Sequence, residues 1–371
     1  MSNKRDRLAE AREKLKKGDI TDAQLLAEKR DRDRIKEQKR EHKKIVKALE
    51  KELSVMSAQT NFLDALESAP EPKPMKIRKR REQQNAGTYV MRASDWHLGE
   101  RVRPENIRNK NEYNPEISQE RAEQYFRSQL RLLNNARDGW DIRDGVLWLG
   151  GDLMTGYIHE EYLEENFLSP VEEALLAYRV LVRGIDYLLA ESDLEQLLIP
   201  TSNGNHGRTG QRIKIATYAK NSFEWMLYHF LDSHYSDEPR VKFQIANGVN
   251  NVVDCYGFRL GFSHGDNYKY GGGVGGLSVP VNRKIGRQLM GMPIEWEGTD
   301  KASPHLYIFG HYHQTLFPGN FMVNGSLIGW NDFAEWLGCA YEPPRQTGFV
   351  IDERYKAVSN YNPVFVTKGK K

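Results

Sequence analysis

Five short loops in this chain carry side chains of the metal-ligating kind, and each loop follows an apolar run of strand length. Asp95 and His97 follow Tyr89, Met91 and Ala93, and Asp152 follows the run 146–149. Asn205 and His206 follow 197–199, His264 follows 258–262, and His311 and His313 follow 306–309. Taken singly, an Asp-x-His is more often a capping carboxylate beside a surface imidazole. Five such loops in strand–loop order constrain the fold, because open α/β sheets gather polar residues at the C-terminal ends of their strands. Residues two apart on a strand share a face, so Asp95 and His97 can reach one point, and a carboxylate with a neutral imidazole suits a divalent transition metal.

Between these loops the apolar spacing alternates in kind. Helical periodicity predicts helices over 116–136, with Ser118 as a candidate cap, over 169–191, and over 212–231. Asp144-Gly145 reads as a turn into the apolar strand 146–149. Beyond residue 240 the rhythm shortens to strands at 241–245, 251–255, 258–262, 306–309, 321–323 and 348–352. That run predicts a second, partly antiparallel sheet packed on the first. The glycine-rich stretch 271–276 satisfies Gly-x-Gly-x-x-Gly, but it follows the fourth ligand loop instead of opening a first βαβ unit. It reads as a substrate-side loop rather than a dinucleotide fingerprint.

The front of the chain differs in kind. Residues 1–90 hold 24 Lys+Arg against 16 Asp+Glu, although the whole chain of 371 residues is only +3. Residues 1–68 read as a charged helical arm whose narrow apolar stripe, Ile45, Val46, Leu49, Leu53 and Met56, cannot form a core. Three prolines and the basic cluster 76–81 mark 69–88 as an exposed linker, and 89–371 as the catalytic domain. The arm is a candidate for contact with DNA or for packing on a second subunit. Two distant cysteines, Cys255 and Cys339, indicate neither a disulfide framework nor a zinc knuckle. With no signal-peptide core and no membrane-length apolar run, a cytoplasmic protein without membrane contact is expected.

In order, the motifs are Asp95-Trp96-His97, Gly151-Asp152, Gly204-Asn205-His206, a lone His264, and Gly310-His311-Tyr312-His313. This set resembles the calcineurin-like metallophosphoesterases over residues 89 to 315. The resemblance implies a four-layer α-β-β-α sandwich of two mixed β-sheets and two divalent ions. Asp95, His97 and His313 would hold one ion and Asn205, His264 and His311 the other, with Asp152 between them. His206 would contact the scissile phosphate and assist the leaving oxygen. In the family an acid usually follows Gly-Asn-His, whereas this chain has Gly207. Asp266 is a steric candidate for the missing partner of His206. Mixed N/O ligands without thiolate favour Mn2+, Fe2+, Zn2+ or Ni2+, with Mg2+ a further alternative, and resemblance to the family's nucleases selects Mn2+. Arg208 and Arg212, with Lys214, stand where a phosphate chain would pass. Asp-Trp-His-Leu-Gly looks like the opening motif of bacterial and phage DNA repair and recombination exonucleases, which implies a phosphodiesterase acting on DNA. The alternatives are a phosphatase or phosphodiesterase on a small-molecule or phosphoprotein substrate, or a catalytically weak metal-binding scaffold. Trp96 and Tyr312 either stack on a base or pack beneath the ligands, and packing is the expectation.

Overall fold

The structure, a computed structural model, describes residues 85–158, 166–210, 214–269, 276–289 and 303–367, with residue 212, the pair 76–77 and scattered positions between 13 and 47. The chain divides into two compact units, Met1–Glu71 and Pro72–Lys371. In the first unit, the described positions between 29 and 47 are helical and exposed. The remainder of the expected arm, most of the 69–88 linker and the glycines 271–275 lie outside the described residues.

The second unit begins with β1 (Lys76–Ile77) and β2 (Ala86–Ala93), followed by α1 (Pro115–Ala136), β3 (Asp141–Leu149) and α2 (Pro170–Glu191). Next come β4 (Gln196–Pro200), α3 (Phe223–His234), β5 (Val241–Gln244), β6 (Asn250–Cys255) and β7 (Phe258–Ser263). The chain closes with α4 (Ser278–Leu289), β8 (Leu306–Phe309), β9 (Phe321–Val323), α5 (Asp332–Leu337), β10 (Arg345–Asp352) and β11 (Ala357–Phe365). Six strands form one sheet in the order β11-β10-β2-β3-β4-β5, and five form another in the order β1-β6-β7-β8-β9. Both are mixed. β2 to β5 run parallel and β10 returns antiparallel to β2; β6 and β7 are antiparallel, while β7, β8 and β9 are parallel.

Val90, Val146, Trp148 and Phe349 of the larger sheet meet Val253, Phe262, Ile308 and Met322 of the smaller in one buried cluster. Each such side chain contributes roughly 1.5–3 kcal/mol by leaving water. On the far side of the smaller sheet, Val281 and Ile285 of α4 pack on Val252, Tyr307 and Phe321. The helices α1, α2 and α3 cover the far side of the larger sheet, where Tyr89 donates to Gln129 of α1. The architecture is therefore the four-layer α-β-β-α sandwich.

Local chemistry sets the helix ends. Asn114, not Ser118, caps α1 by accepting from the Ile117 N–H at 2.8 Å; the Ser118 hydroxyl donates back to the Pro115 carbonyl. Ser169 and Glu172 form a capping box at α2, with Pro170 at the first helical position. Three expectations fail for tertiary reasons. Asp144-Gly145 lies inside β3, because both residues pair with neighbouring strands and a Gly145 side chain would press on Leu194. The helix expected from 212 starts only at Phe223, where Ser222 supplies the cap. The Tyr218 hydroxyl ties the preceding turn to the Asn203 carbonyl. The strands at 241–244 and 345–352, expected in the second sheet, belong to the first, and Lys76–Ile77 adds an edge strand beside β6. Among the described residues no helix is long and apolar enough to cross a membrane.

Candidate metal centre

Parallel strands bring the five loops to one end of the sandwich. Asp95 and His97 follow β2, Asp152 follows β3, and Asn205 and His206 follow β4. His264 follows β7, and His311 and His313 follow β8. Backbone bonds stitch neighbouring loops together. The Asp95 N–H donates to the Gly151 carbonyl at 2.9 Å, the His97 N–H to Asp152 at 3.0 Å, and the Gly310 N–H to His264 at 2.8 Å. The motif glycines permit this closeness. A Cβ on Gly204 would stand 2.0 Å from Asp152 Oδ1, and one on Gly310 would stand 2.2 Å from Asp95 Oδ2.

The ligating atoms fall into three overlapping groups, each with all members within 4.8 Å of one another. Asp95, His97 and His313 form the first; Asp152, His264 and His311 form the second; His97, Asp152 and His206 lie between them. Asp152 thus belongs to two groups. Asn205 joins the second side, its Oδ1 lying 3.1 Å from His264 Nε2. All eight residues singled out in the loops meet here. Arg208 and Arg212 do not; they line an adjacent cavity with Lys214.

The rings are aimed by their outer nitrogens. His264 Nδ1 donates to the Gly150 carbonyl at 2.8 Å and His206 Nδ1 to the Thr155 carbonyl at 2.9 Å, which leaves both Nε2 atoms facing inward. His97 Nε2 and His313 Nε2 point at each other across 3.2 Å. The carboxylates are aimed as well: Asp152 Oδ1 accepts from the His206 N–H and Asp95 Oδ1 from the His311 N–H, both at 2.8 Å. The buried Asp95 Oδ2 has no hydrogen-bond partner. A buried carboxylate oxygen without a donor, beside imidazole nitrogens, is what a divalent cation satisfies, so the residues fit such an ion.

The backbone carries the same signature. Asp95 (φ 58°), His97 (49°), Asp152 (50°), His311 (70°) and His313 (54°) all occupy the left-handed region. Each such residue costs about 1–3 kcal/mol, a strain that concentrates where structure is held for a function.

The site is electrostatically tense. Burial opposes the Asp152 charge, but the His264, His206 and His97 rings outweigh it and hold the carboxyl well below its usual range. Burial likewise opposes an imidazolium at His264, yet Asp152, 2.9 Å away, with Asp95 and Asp266, raises its pKa well above the usual value. Asp95 is pushed up to about 7 by burial and by Asp152, with His264 opposing. Burial and then His264 lower His311 to about 3, and burial, His206 and His313 lower His97 well below its usual value.

Two buried glutamates from the helices support these loops, and the motif reading missed both. Glu173 of α2 accepts from the Gly156 N–H at 2.8 Å and the Thr155 N–H at 3.2 Å. Glu224 of α3 accepts from the Leu153 N–H at 2.7 Å and the Gly204 N–H at 2.6 Å. The only sequence signal was an acid at a helical position that should be apolar. Asp266 does not serve His206: its Oδ2 accepts from the Tyr218 hydroxyl at 3.2 Å, and the Thr155 carbonyl orients the ring instead. Trp96 is fully buried against Tyr125 and Phe126, and Tyr312 packs on Phe309 and His311, so both support the ligands from beneath.

Glu173 yields a pH prediction. Burial pushes it up to about 8, against the N–H groups of Gly156 and Thr155, from an ordinary 4.5. Its folded pKa exceeds its unfolded one, so the folded state holds the extra proton and stability falls as pH rises from about 4.5 through 8. Glu173→Gln keeps the acceptor and removes the ionisation. It is expected to stabilise the protein by about 2 kcal/mol at pH 8 and above, with no gain at pH 4. Denaturant melts at the two pH values check this, and an equal effect at both would contradict it.

No family model matches the chain, and no curated protein is similar to it in sequence. Among solved structures, Vps29 from Entamoeba histolytica complexed with Zn2+ is similar at a TM-score of 0.29, with 12% identity over 75% of this chain and 99% of that one. A single mutant of that Vps29 is similar at 0.26, again with 12% identity, over 74% and 98%.

Proposed function

We propose that this chain is a dinuclear-metal-dependent phosphodiesterase of the calcineurin-like metallophosphoesterase type, acting on nucleic acid, with DNA as the substrate and Mn2+ as the preferred ion. The observation that carries the reading is the sharing of Asp152 between two ligand groups. An imidazole-rich set without thiolate suits Mn2+, Zn2+, Fe2+ or Ni2+, and Mg2+ less well. When bound, a pair of such ions supplies a nucleophile from water at neutral pH and neutralises charge gathering on the phosphoryl oxygens.

The chain's own residues do the rest. Asp95, His97 and His313 hold one side, Asn205, His264 and His311 the other, and Asp152 lies between. His206, with its Nδ1 committed to Thr155, presents Nε2 as the atom able to hold or pass a proton at the leaving oxygen. Fixed rings and carboxylates spare the reorganisation that the reaction would otherwise demand.

The substrate assignment draws on the cavity next door. It measures about 80 Å³ and is lined by Arg208, Thr209, Arg212, Lys214, Tyr218 and Asn221, beside Gly204 of the ligand loop, with no carboxylate among the described residues that line it. Arg208 is committed to the loop itself, donating to the Asn205 and Gly210 carbonyls. Arg212 and Lys214 are exposed. Cations one step from the metal centre suit a phosphate flanking the one cleaved, which a nucleic-acid strand has and a monoester lacks.

The test is hydrolysis of linear and circular, single- and double-stranded DNA with Mn2+, beside a small phosphodiester and an Asp152→Ala control. DNA cleavage above the control is expected, and untouched circles would mark an exonuclease. Turnover of the small ester without any DNA cleavage would overturn the nucleic-acid assignment. In the double variant Arg212→Ala/Lys214→Ala, each lost phosphate contact should reduce the slope of log affinity against log salt by about 1, a total of about 2. Hydrolysis of the small diester should stay unchanged.

A further inference from the structure

We infer that Glu224 is a positioning residue that locks the Asp152 loop to the Asn205 loop from its place in α3. The inference rests on the metal-centre reading above and extends it to a residue outside the five motifs.

Glu224 lies in the first turn of α3 and is fully buried. Its two oxygens serve two different loops. Oε1 accepts from the N–H of Leu153, the residue after Asp152, and Oε2 from the N–H of Gly204, the residue before Asn205. One rigid group therefore spans the neighbours of a ligand on β3 and a ligand on β4. Glu173, by contrast, binds backbone N–H groups of the β3 loop alone.

Gly207 completes the argument. A Cβ there would stand 2.7 Å from Glu224 Cγ and 3.0 Å from its Cδ. A side chain at 207 and the carboxylate of Glu224 thus compete for one space, so an acid at either place leaves no room for the other. The helix is anchored beside that space, since the Phe223 N–H donates to the Gly207 carbonyl at 2.8 Å and the Thr209 N–H to the Asn221 carbonyl at 2.9 Å. Gly207 leaves open the space that the Glu224 side chain fills, on the helix that the loop docks on.

A support of this kind acts through the ligands it orients, and losing one costs about 10–100-fold in metal affinity. The full chain is compared with Glu224→Gln, Glu224→Ala and Gly207→Glu/Glu224→Ala by Mn2+ titration calorimetry and by amide hydrogen exchange at Leu153 and Gly204. Glu224→Gln keeps the shape and loses one acceptor, so it reports even where Glu224→Ala fails to fold. The expected result is a Kd for Mn2+ raised by about 10-fold or more in both single variants, with faster exchange at both amides. Partial recovery of affinity is expected in the double variant. Wild-type Mn2+ affinity in Glu224→Gln, with both amides still protected, would overturn the inference. If the wild-type chain itself takes up no Mn2+, the metal centre falls, and amide exchange alone then decides whether Glu224 locks the loops.

Discussion

Asp152→Asn abolishes hydrolysis: turnover of any phosphoester is expected to fall by about three orders of magnitude, since the charge stabilisation supplied by a metal pair is worth several kcal/mol. Among the described residues no other carboxylate lies within ligand distance of both His97 and the His264–His311 pair. An amide in its place can still accept from the His206 N–H, so the loop keeps its geometry while the shared negative charge is gone. His264 then loses the carboxylate 2.9 Å away that, ahead of Asp95 and Asp266, raises its pKa against burial. Elemental analysis should show metal content falling from two ions per chain to one or none, with the far-ultraviolet spectrum unchanged. Two tightly held ions in the variant would remove Asp152 from the bridging role, and with it the reason for treating the clusters as one centre.

His206→Gln separates two roles that the geometry leaves adjacent. The ring lies within ligand distance of His97 and Asp152, its centroid 4.7 Å from that of His97, yet its Nδ1 is anchored on the Thr155 carbonyl, and the backbone N–H of His206 donates to Asp152. As a proton donor to the leaving oxygen, His206 should cost about 10²–10⁴ in kcat when removed, with two metals still bound. The loss should shrink for substrates whose leaving group needs no proton, such as a nitrophenolate ester. A variant that binds one metal fewer would make His206 a ligand instead.

The ligand loops hold an arrangement that stability alone would not select. Five ligands sit in left-handed backbone, Asp95 is a buried acid with an unpartnered oxygen, and five imidazoles crowd one end of the sheets. Bound ions would offset this, because any ion that binds only the folded state adds about 2.7 kcal/mol at 100 times its Kd. The two sheets supply the rigidity that keeps the strained loops in place when the ions are absent, through the packing of Trp148, Phe262 and Phe349.

The ligand loops were legible because each is short and lies next to the apolar run that delivers it. An apolar strand followed by a glycine and a polar side chain is a local pattern, and Asp95, Asp152, Asn205, His264, His311 and His313 could be found one loop at a time. What escaped was everything decided by residues far apart. β5 and β10 read as strands, but which sheet they join depends on partners that strand propensity does not name: Leu197 for β5 and Tyr89 for β10. Asp144-Gly145 has the composition of a turn, and pairing on both sides overrode it.

The sequence by itself determined which side chains are of the ligand kind and in what order they arrive, because ligand chemistry and strand periodicity are properties of single residues and their near neighbours. Only the tertiary structure decided how those ligands are held. Glu224 and Glu173 stand on helices whose apolar periodicity says nothing of a buried carboxylate, and each finds its backbone N–H partners only when the helix is laid against the loops. The physical reason is that a hydrogen bond between distant segments depends on where the packed layers bring them, and that placement is settled by the whole core at once.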